Sequence, residues 1–263
     1  MLIDFHFHAF PDELAPRAIG SLEDNCHETA LTDGTVSQAL ARFDEWGVDS
    51  AVLLPIATKP AQQQKINNWA AGLDGGRIIS FGTVHPDSDV LFEEMHRAVS
   101  IGLHGFKLHP DYQGFFIDEK RLDPMFDEFE RIGLPVTVHA GYDPYSPERI
   151  HCLPEAAASM IKRHKHLKLI LAHLGGNEHW QESLDHICGT DGEIYLDTAY
   201  SLHIPDSLLL KMIRKHGADR VLFASDCPWA SSAATKQKIC SLPLTDDEKD
   251  LIFFGNACRL LKN

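Results

Sequence analysis

The sequence predicts an α/β protein built as one (β/α)8 barrel, and three observations carry that prediction. Short apolar runs rich in β-branched residues recur eight times, amphipathic segments separate them, and 263 residues suit eight such units. Strands that alternate with helices pair in parallel. Near-continuous apolar runs such as Leu169-Ile170-Leu171-Ala172 fit burial on both faces of such a sheet. A doubly wound open sheet is the alternative, but no Gly-x-Gly-x-x-Gly follows the first strand and no Walker loop is present. Residues 1–263 therefore read as a single domain.

The strands are expected at 2–6, 51–54, 78–84, 105–108, 135–139, 168–173, 193–198 and 220–225. Helical periodicity fills the gaps: Val36, Leu40 and Phe43; Leu91, Met95 and Ala98; Leu122, Met125, Phe126 and Phe129; Leu208, Met212 and Ile213. Gly47, Gly102, Gly133 and Gly217 stand where helix C-caps belong, and Thr35, Asp87 and Asp118 near helix starts. Two segments exceed a minimal unit: an insertion at 10–33 after strand 1 and a long loop at 227–245 after strand 8. Both fall on the side of a barrel where loops carry function.

Composition narrows the function. Twenty-four basic against 38 acidic residues give a formal charge of −14, which argues against nucleic acid and anionic membrane surfaces and for a small-molecule substrate. The six cysteines form no Cys-x-x-Cys pair and follow no export segment, so reduced thiols in a cytoplasm are expected. No apolar run reaches the roughly 18 residues that span a bilayer. A homo-oligomer is compatible with all of this.

The polar residues concentrate at strand ends. Strand 1 carries His6 and His8; alternation places them with Asp4 on one side and Ile3, Phe5 and Phe7 on the other. Strand 3 reaches His85, strand 4 contains Lys107 and reaches His109, strand 5 ends in His139, strand 6 in His173 and strand 8 in Asp226. A barrel assembles its active site from these ends. His6, His8, His139 and Asp226 form a nitrogen-rich set with one carboxylate, suited to zinc first, or to manganese or iron. Such an ion lowers the pKa of a bound water to about 7, and Asp226 can both touch the metal and take the water's proton. Beside Cys227-Pro228, Asp226 can equally be read as a helix N-cap.

The ordered set His6-x-His8, Lys107, His139, His173 and Asp226 resembles the amidohydrolase superfamily of metal-dependent hydrolases. Gly105-Phe106-Lys107-Leu108-His109-Pro110, Ala172-His173-Leu174-Gly175-Gly176, Ala224-Ser225-Asp226-Cys227-Pro228-Trp229 and Gly255-Asn256-Ala257-Cys258-Arg259-Leu260-Leu261 are similar to its amidohydrolase-related, or amidohydrolase 2, branch. The resemblance implies a TIM barrel with metal on His6, His8, His139 and Asp226, and with His173 touching substrate or bound water. In two-metal members a carboxylated fourth-strand lysine bridges the ions. Lys107 matches that position, but one ion is the preferred reading, with Lys107 also suited to a substrate carboxylate or to pairing with Asp111. His85 and His109 read as loop-ordering residues. Tyr112 and Trp229, with Tyr142, Tyr145, Trp180 and Tyr200, read as pocket walls, while Cys227 has no mark of a nucleophile.

The leading expectation is hydrolysis of an amide, ester or lactone by a metal-activated water, with His173 or Lys107 stabilising the oxyanion. The branch also contains non-oxidative decarboxylases of unsaturated or aromatic carboxylic acids, the alternative reading. A TatD-like phosphoester hydrolase is a lesser one, opposed by the acidic charge and by Ala224-Ser225 before Asp226.

Overall fold

The computed structural model describes residues 1–262. Its chain order is β1 (Ile3–Phe7), α1 (Ala15–Cys26), α2 (Val36–Trp46), β2 (Ser50–Leu53), α3 (Gln63–Ala71), β3 (Ile78–Ser80), β4 (Gly82–Thr83), α4 (Leu91–Ser100), β5 (Phe106–Leu108) and α5 (Pro110–Gln113). It continues with α6 (Asp123–Ile132), β6 (Val136–Val138), α7 (Pro154–Arg163), β7 (Leu169–Leu171), α8 (Trp180–His186), β8 (Ile194–Asp197), α9 (Asp206–His216), β9 (Val221–Leu222), α10 (Ser232–Ser241), α11 (Asp246–Asp250) and α12 (Asn256–Leu261). All strand pairs are parallel, β1-β2-β3 and β4 through β9.

Backbone hydrogen bonds join these two sheets into a ring. Phe81, between β3 and β4, donates to Leu53 O (3.1 Å), and Gly82 donates to Gly105 O (2.8 Å). At the other seam Phe5 donates to Phe223 O (2.8 Å), Asp226 to His6 O (2.9 Å) and His8 to Cys227 O (2.7 Å). The expected third strand is thus one barrel strand interrupted at Phe81, whose ring meets Phe5 edge-on at 5.7 Å inside the barrel. Gly105 makes that possible: a Cβ there would lie 2.5 Å from the Phe81 ring.

Two apolar clusters divide the molecule. Ile3, Phe5, Val52, Leu54, Phe81, Ile170, Tyr195, Leu222 and Ala224 come from strands around the ring and meet Ala257 and Leu260 of α12, so they fill the interior. The alternate residues, such as Leu53, Phe106, Val138, Leu169 and Leu196, pack outward under the helices. Simple alternation fails in β1, where the register shifts between Asp4 and Phe7. Ile3 and Phe5 face inward, while Phe7 belongs to the outer cluster against Phe43 (5.2 Å). The expectation of one face for all three is corrected by that bulge, which also turns His6 and His8 toward the barrel mouth.

Gly47 and Gly133 close α2 and α6 in the left-handed region, and Thr35 caps α2 by accepting from the Gln38 N–H. Asp87 and Asp118 cap no helix: Asp87 accepts from Arg121 (2.6 Å), and α6 starts at Asp123 without a side-chain cap. The 10–33 insertion holds α1, and the segment after the last strand holds α10. Among the described residues, no helix is long and apolar enough to cross a membrane.

Candidate metal centre and active site

His6 and His8 reach the mouth with their ring protons already committed. His6 Nδ1 donates to Asp197 Oδ2 (2.8 Å) and His8 Nδ1 donates to Leu54 O (2.8 Å). Each Nε2 therefore presents a lone pair, and the two lie 3.1 Å apart. Asp226 Oδ1 completes the group at 3.4 Å from His6 Nε2 and 3.3 Å from His8 Nε2. Three acceptors with no proton among them repel one another unless a cation joins them. Atoms that share an ion at about 2.1 Å stand roughly 3–4 Å apart. The donor set fits a divalent metal of the zinc or manganese kind.

Asp226 holds its place through an unusual backbone, φ 75, at the end of the last barrel strand, and His173 has φ 57 at the end of β7. Asp226 is not a helix N-cap: α10 begins at Ser232 and is capped by Ser231. Asp4 ties these pieces together. Its Oδ1 accepts from the Ser225 N–H (2.9 Å) and its Oδ2 from the Ser232 hydroxyl (2.7 Å), so β1, the last strand and α10 share one buried carboxylate.

Lys107, fully buried on β5, points inward with Nζ 3.3 Å from His6 Nε2. It does not pair with Asp111, whose Oδ1 instead accepts from Ser146 and His151. Burial pulls the Lys107 ammonium below the usual lysine range, while Asp197, Asp226 and Asp143 oppose that shift. Burial likewise raises Asp197, against the His173 N–H and the charge of Lys107. It holds His6 and His139 well below the ordinary imidazole value and brings His173 to about 4, so these rings are neutral and keep their lone pairs.

His139 and His173 form a chain. His173 Nδ1 donates to Ala199 O (3.2 Å), so its Nε2 accepts from His139 Nδ1 (3.0 Å). Both nitrogens of His173 are thus occupied by protein partners. His139 Nε2 is left with its lone pair, and it faces Asp143 Oδ2 (3.8 Å) and Asp111 Oδ2 (4.0 Å) rather than the trio of His6, His8 and Asp226. His109 stacks on His139 at 4.2 Å and on Tyr112 at 3.8 Å, with its Nε2 3.5 Å from Asp143 Oδ2. Of the four ligands expected from sequence, three converge and the fourth stands in a neighbouring group.

The aromatic residues separate in the same way. Tyr112 meets Tyr145 edge-on at 5.1 Å above His109, and half-buried Trp229 follows Asp226, its N–H on Asp226 O (2.7 Å). Tyr200 donates to Glu28 of the insertion, which covers this side of the mouth. Trp180 packs against the outer core and is no pocket wall. His85 orders its own loop by accepting from the Asp87 N–H (3.2 Å). Asp197 and Asp143 join the site without being among the residues expected from sequence, although Asp197 carries the same signal as the others, a carboxylate at the end of a barrel strand.

The sequence profile described as amidohydrolase matches residues 3–262. No curated protein matches the chain. Among solved structures, 5-carboxyvanillate decarboxylase from Sphingomonas paucimobilis is 18% identical with a TM-score of 0.72, covering 99% of this chain and 98% of that one. Dihydroxybenzoic acid decarboxylase from Polaromonas sp. JS666, solved with manganese and 2-nitroresorcinol, is 16% identical with a TM-score of 0.72, covering 99% and 96%. An uncharacterized TIM-barrel protein from Bordetella bronchiseptica is 17% identical with a TM-score of 0.78, covering 99% and 98%. At these identities the likeness establishes the shared barrel fold.

Proposed function

The chain belongs to the amidohydrolase family, and from that premise we propose that it is a metal-dependent hydrolase of a small molecule with an amide, ester or lactone bond. The observation that carries this reading is the trio of acceptors, His6 Nε2, His8 Nε2 and Asp226 Oδ1, within 3.4 Å of one another. These three residues hold the ion, zinc by preference. When bound, it supplies Lewis acidity toward the carbonyl and the water of the reaction. Asp226, the carboxylate of the trio, takes the proton released by the water. Lys107 presents its ammonium to the developing negative oxygen in a buried setting, where such a charge acts strongly. His173 positions His139 rather than touching substrate, and Tyr112 and Trp229 flank the entrance.

Three carboxylates, Asp197, Asp226 and Asp143, act on the buried ammonium of Lys107, which favours an uncharged scissile carbonyl over an anionic substrate. A second reading, non-oxidative decarboxylation of an aromatic carboxylic acid, draws support from the decarboxylases that share the fold. Metal-loaded protein incubated with esters, lactones and amides, and in parallel with aromatic carboxylic acids, distinguishes the two. Turnover of the first panel is expected. Carbon dioxide release from the second, with no turnover of the first, would replace hydrolysis by decarboxylation.

A further inference from the structure

Where α6 packs against the end of α7, on the outer helical layer, a buried ring nitrogen is left without a partner. The side chain of His164 is 2% exposed, and its Nε2–H donates to Asp123 Oδ1 (3.1 Å). That bond fixes the tautomer, so Nδ1 carries a lone pair. Asp127 Oδ1 stands 3.1 Å from Nδ1, yet Nδ1 makes no hydrogen bond among the described residues. The carboxylate oxygen therefore lies off the axis of the ring nitrogen, and a proton on Nδ1 would not point at it. Two acceptors held at that distance repel one another unless a cation joins them. A buried polar atom left unpaired also costs about 1–3 kcal/mol.

We propose that His164 Nδ1, Asp127 and Glu130 bind a divalent transition-metal ion that clips α6 to the end of α7. One ligand atom from each of the three lies within 4.8 Å of the others. Ligands that share an ion at about 2.1 Å stand roughly 3–4 Å apart, and the ion rather than the second ligand then occupies the lone-pair axis. Asp127 and Glu130 are one turn apart on α6, so both carboxylates reach His164 from one face. The groups behind them are anchored. Asp123, which receives the Nε2–H, also accepts from Arg163 Nε (2.9 Å), and Glu130 Oε1 accepts from the His166 N–H (2.8 Å). A carboxylate behind the imidazole is the arrangement that orients metal-ligating histidines. Asp127 is 69% exposed, which opens the site to solvent for entry of the ion and for water ligands. One imidazole with two carboxylates selects zinc or manganese over calcium, and the two carboxylates balance the ion's charge. None of the residues at the barrel mouth takes part, so this site stands or falls apart from the proposed function.

Equilibrium dialysis of the full chain against zinc, read by elemental analysis, tests it by difference. Asp127→Asn and Glu130→Gln should each hold one ion fewer than wild type. The same loss of one ion is expected when Asp127→Asn is added to Asp226→Asn, where the mouth is already impaired. Circular dichroism confirms that each variant is folded. Equal counts in wild type, Asp127→Asn and Glu130→Gln overturn the site and leave the reading of the mouth standing. One ion lost in Asp127→Asn and none in Asp226→Asn upholds this site and overturns the placement of the ion in the proposed function. Zinc anomalous maps from wild-type crystals need no variant. A peak bonded to His164 Nδ1 is expected, and a map with zinc at the mouth and none beside His164 overturns the inference.

Discussion

Asp197 Oδ2 lies 2.8 Å from His6 Nδ1, and that contact decides which nitrogen of His6 faces the barrel mouth with a lone pair. The same carboxylate accepts from the backbone N–H groups of His173 (2.8 Å) and Ala199 (3.1 Å), so β8 orients the ends of β1 and β7 together. Asp197→Asn keeps the shape but allows the amide to donate, which permits the wrong tautomer of His6. Metal affinity should fall by about 10–100-fold with the fold intact. Titration calorimetry with zinc measures it, and unchanged affinity would show that the contact has no part in ligand orientation.

Lys107 tests the division between stability and function. A fully buried ammonium is costly to desolvate, and its nearest polar contact is a neutral imidazole at 3.3 Å. Lys107→Met removes the charge and keeps most of the volume. The metal-free variant should be as stable as wild type or more so, while turnover by the loaded enzyme falls by about 10²-fold or more. Thermal unfolding and steady-state kinetics make the comparison. A destabilised variant would mean that the carboxylates around Lys107 outweigh its burial.

Metal itself should stabilise the fold. An ion that binds the native mouth and not the unfolded chain adds about 2.7 kcal/mol at a free concentration 100 times its Kd. Chelation should therefore lower the melting temperature and abolish activity, and zinc or manganese should restore both. In Asp226→Asn the shift in melting temperature should shrink. A wild-type melting curve indifferent to chelator and to added metal contradicts a metal-binding mouth.

Gly141 controls the loops on which the group around His139 depends. A Cβ at this position would lie 2.0 Å from Asn177 N, and the backbone has φ 91. Here the loops after β6 and β7 are laced by Asn177 N–H to Ala140 O (2.8 Å) and Tyr142 N–H to Asn177 O (2.9 Å). Gly141→Ala must part them, and should cost at least about 2 kcal/mol in urea unfolding. A smaller loss would show that the two loops separate easily.

Much of this was legible because parallel strands bury both faces and so leave uninterrupted apolar runs, as at Leu169–Leu171. The placing of His6, His8 and Asp226 followed from the same strand ends. The bulge in β1 was not legible, since period-two alternation assumes an unbroken ladder and Ile3, Phe5 and Phe7 satisfy it equally well in sequence. The helix Ala15–Cys26 was hidden too: it has no side-chain cap and buries only Ala15 and Ile19. His109 and Asp111 lie at the start of α5 and Asp143 follows β6, with α6 and β6 between them in sequence, and nothing local announces that they meet. Asp197 stood inside the expected strand 193–198, one residue before its end, where its carboxylate was not singled out with the other strand-end residues.

Stability below neutral pH depends on a histidine remote from the mouth. His216, at the end of α9, is 1% exposed; its Nε2–H donates to Ile194 O (2.9 Å) and its Nδ1 accepts from the Gly189 N–H (3.3 Å). The bond accepted by Nδ1 requires the neutral ring, whereas the Nε2–H bond survives protonation. Burial, helped by the charge of Arg220, lowers its pKa to about 4, against about 6.5 in the unfolded chain. Above pH 6.5 neither state is protonated and stability does not depend on this group. Between about 6.5 and 4 the unfolded state binds a proton that the folded state refuses, so stability declines as pH falls, by at most about 1.4 kcal/mol per unit. His216→Gln can donate and accept but cannot titrate. Measured by urea unfolding across that range with the metal state held constant, the variant should lose less stability than wild type on acidification. Parallel curves would show that His216 is protonated at no cost to the fold and that burial and the Gly189 bond do not enforce its neutrality.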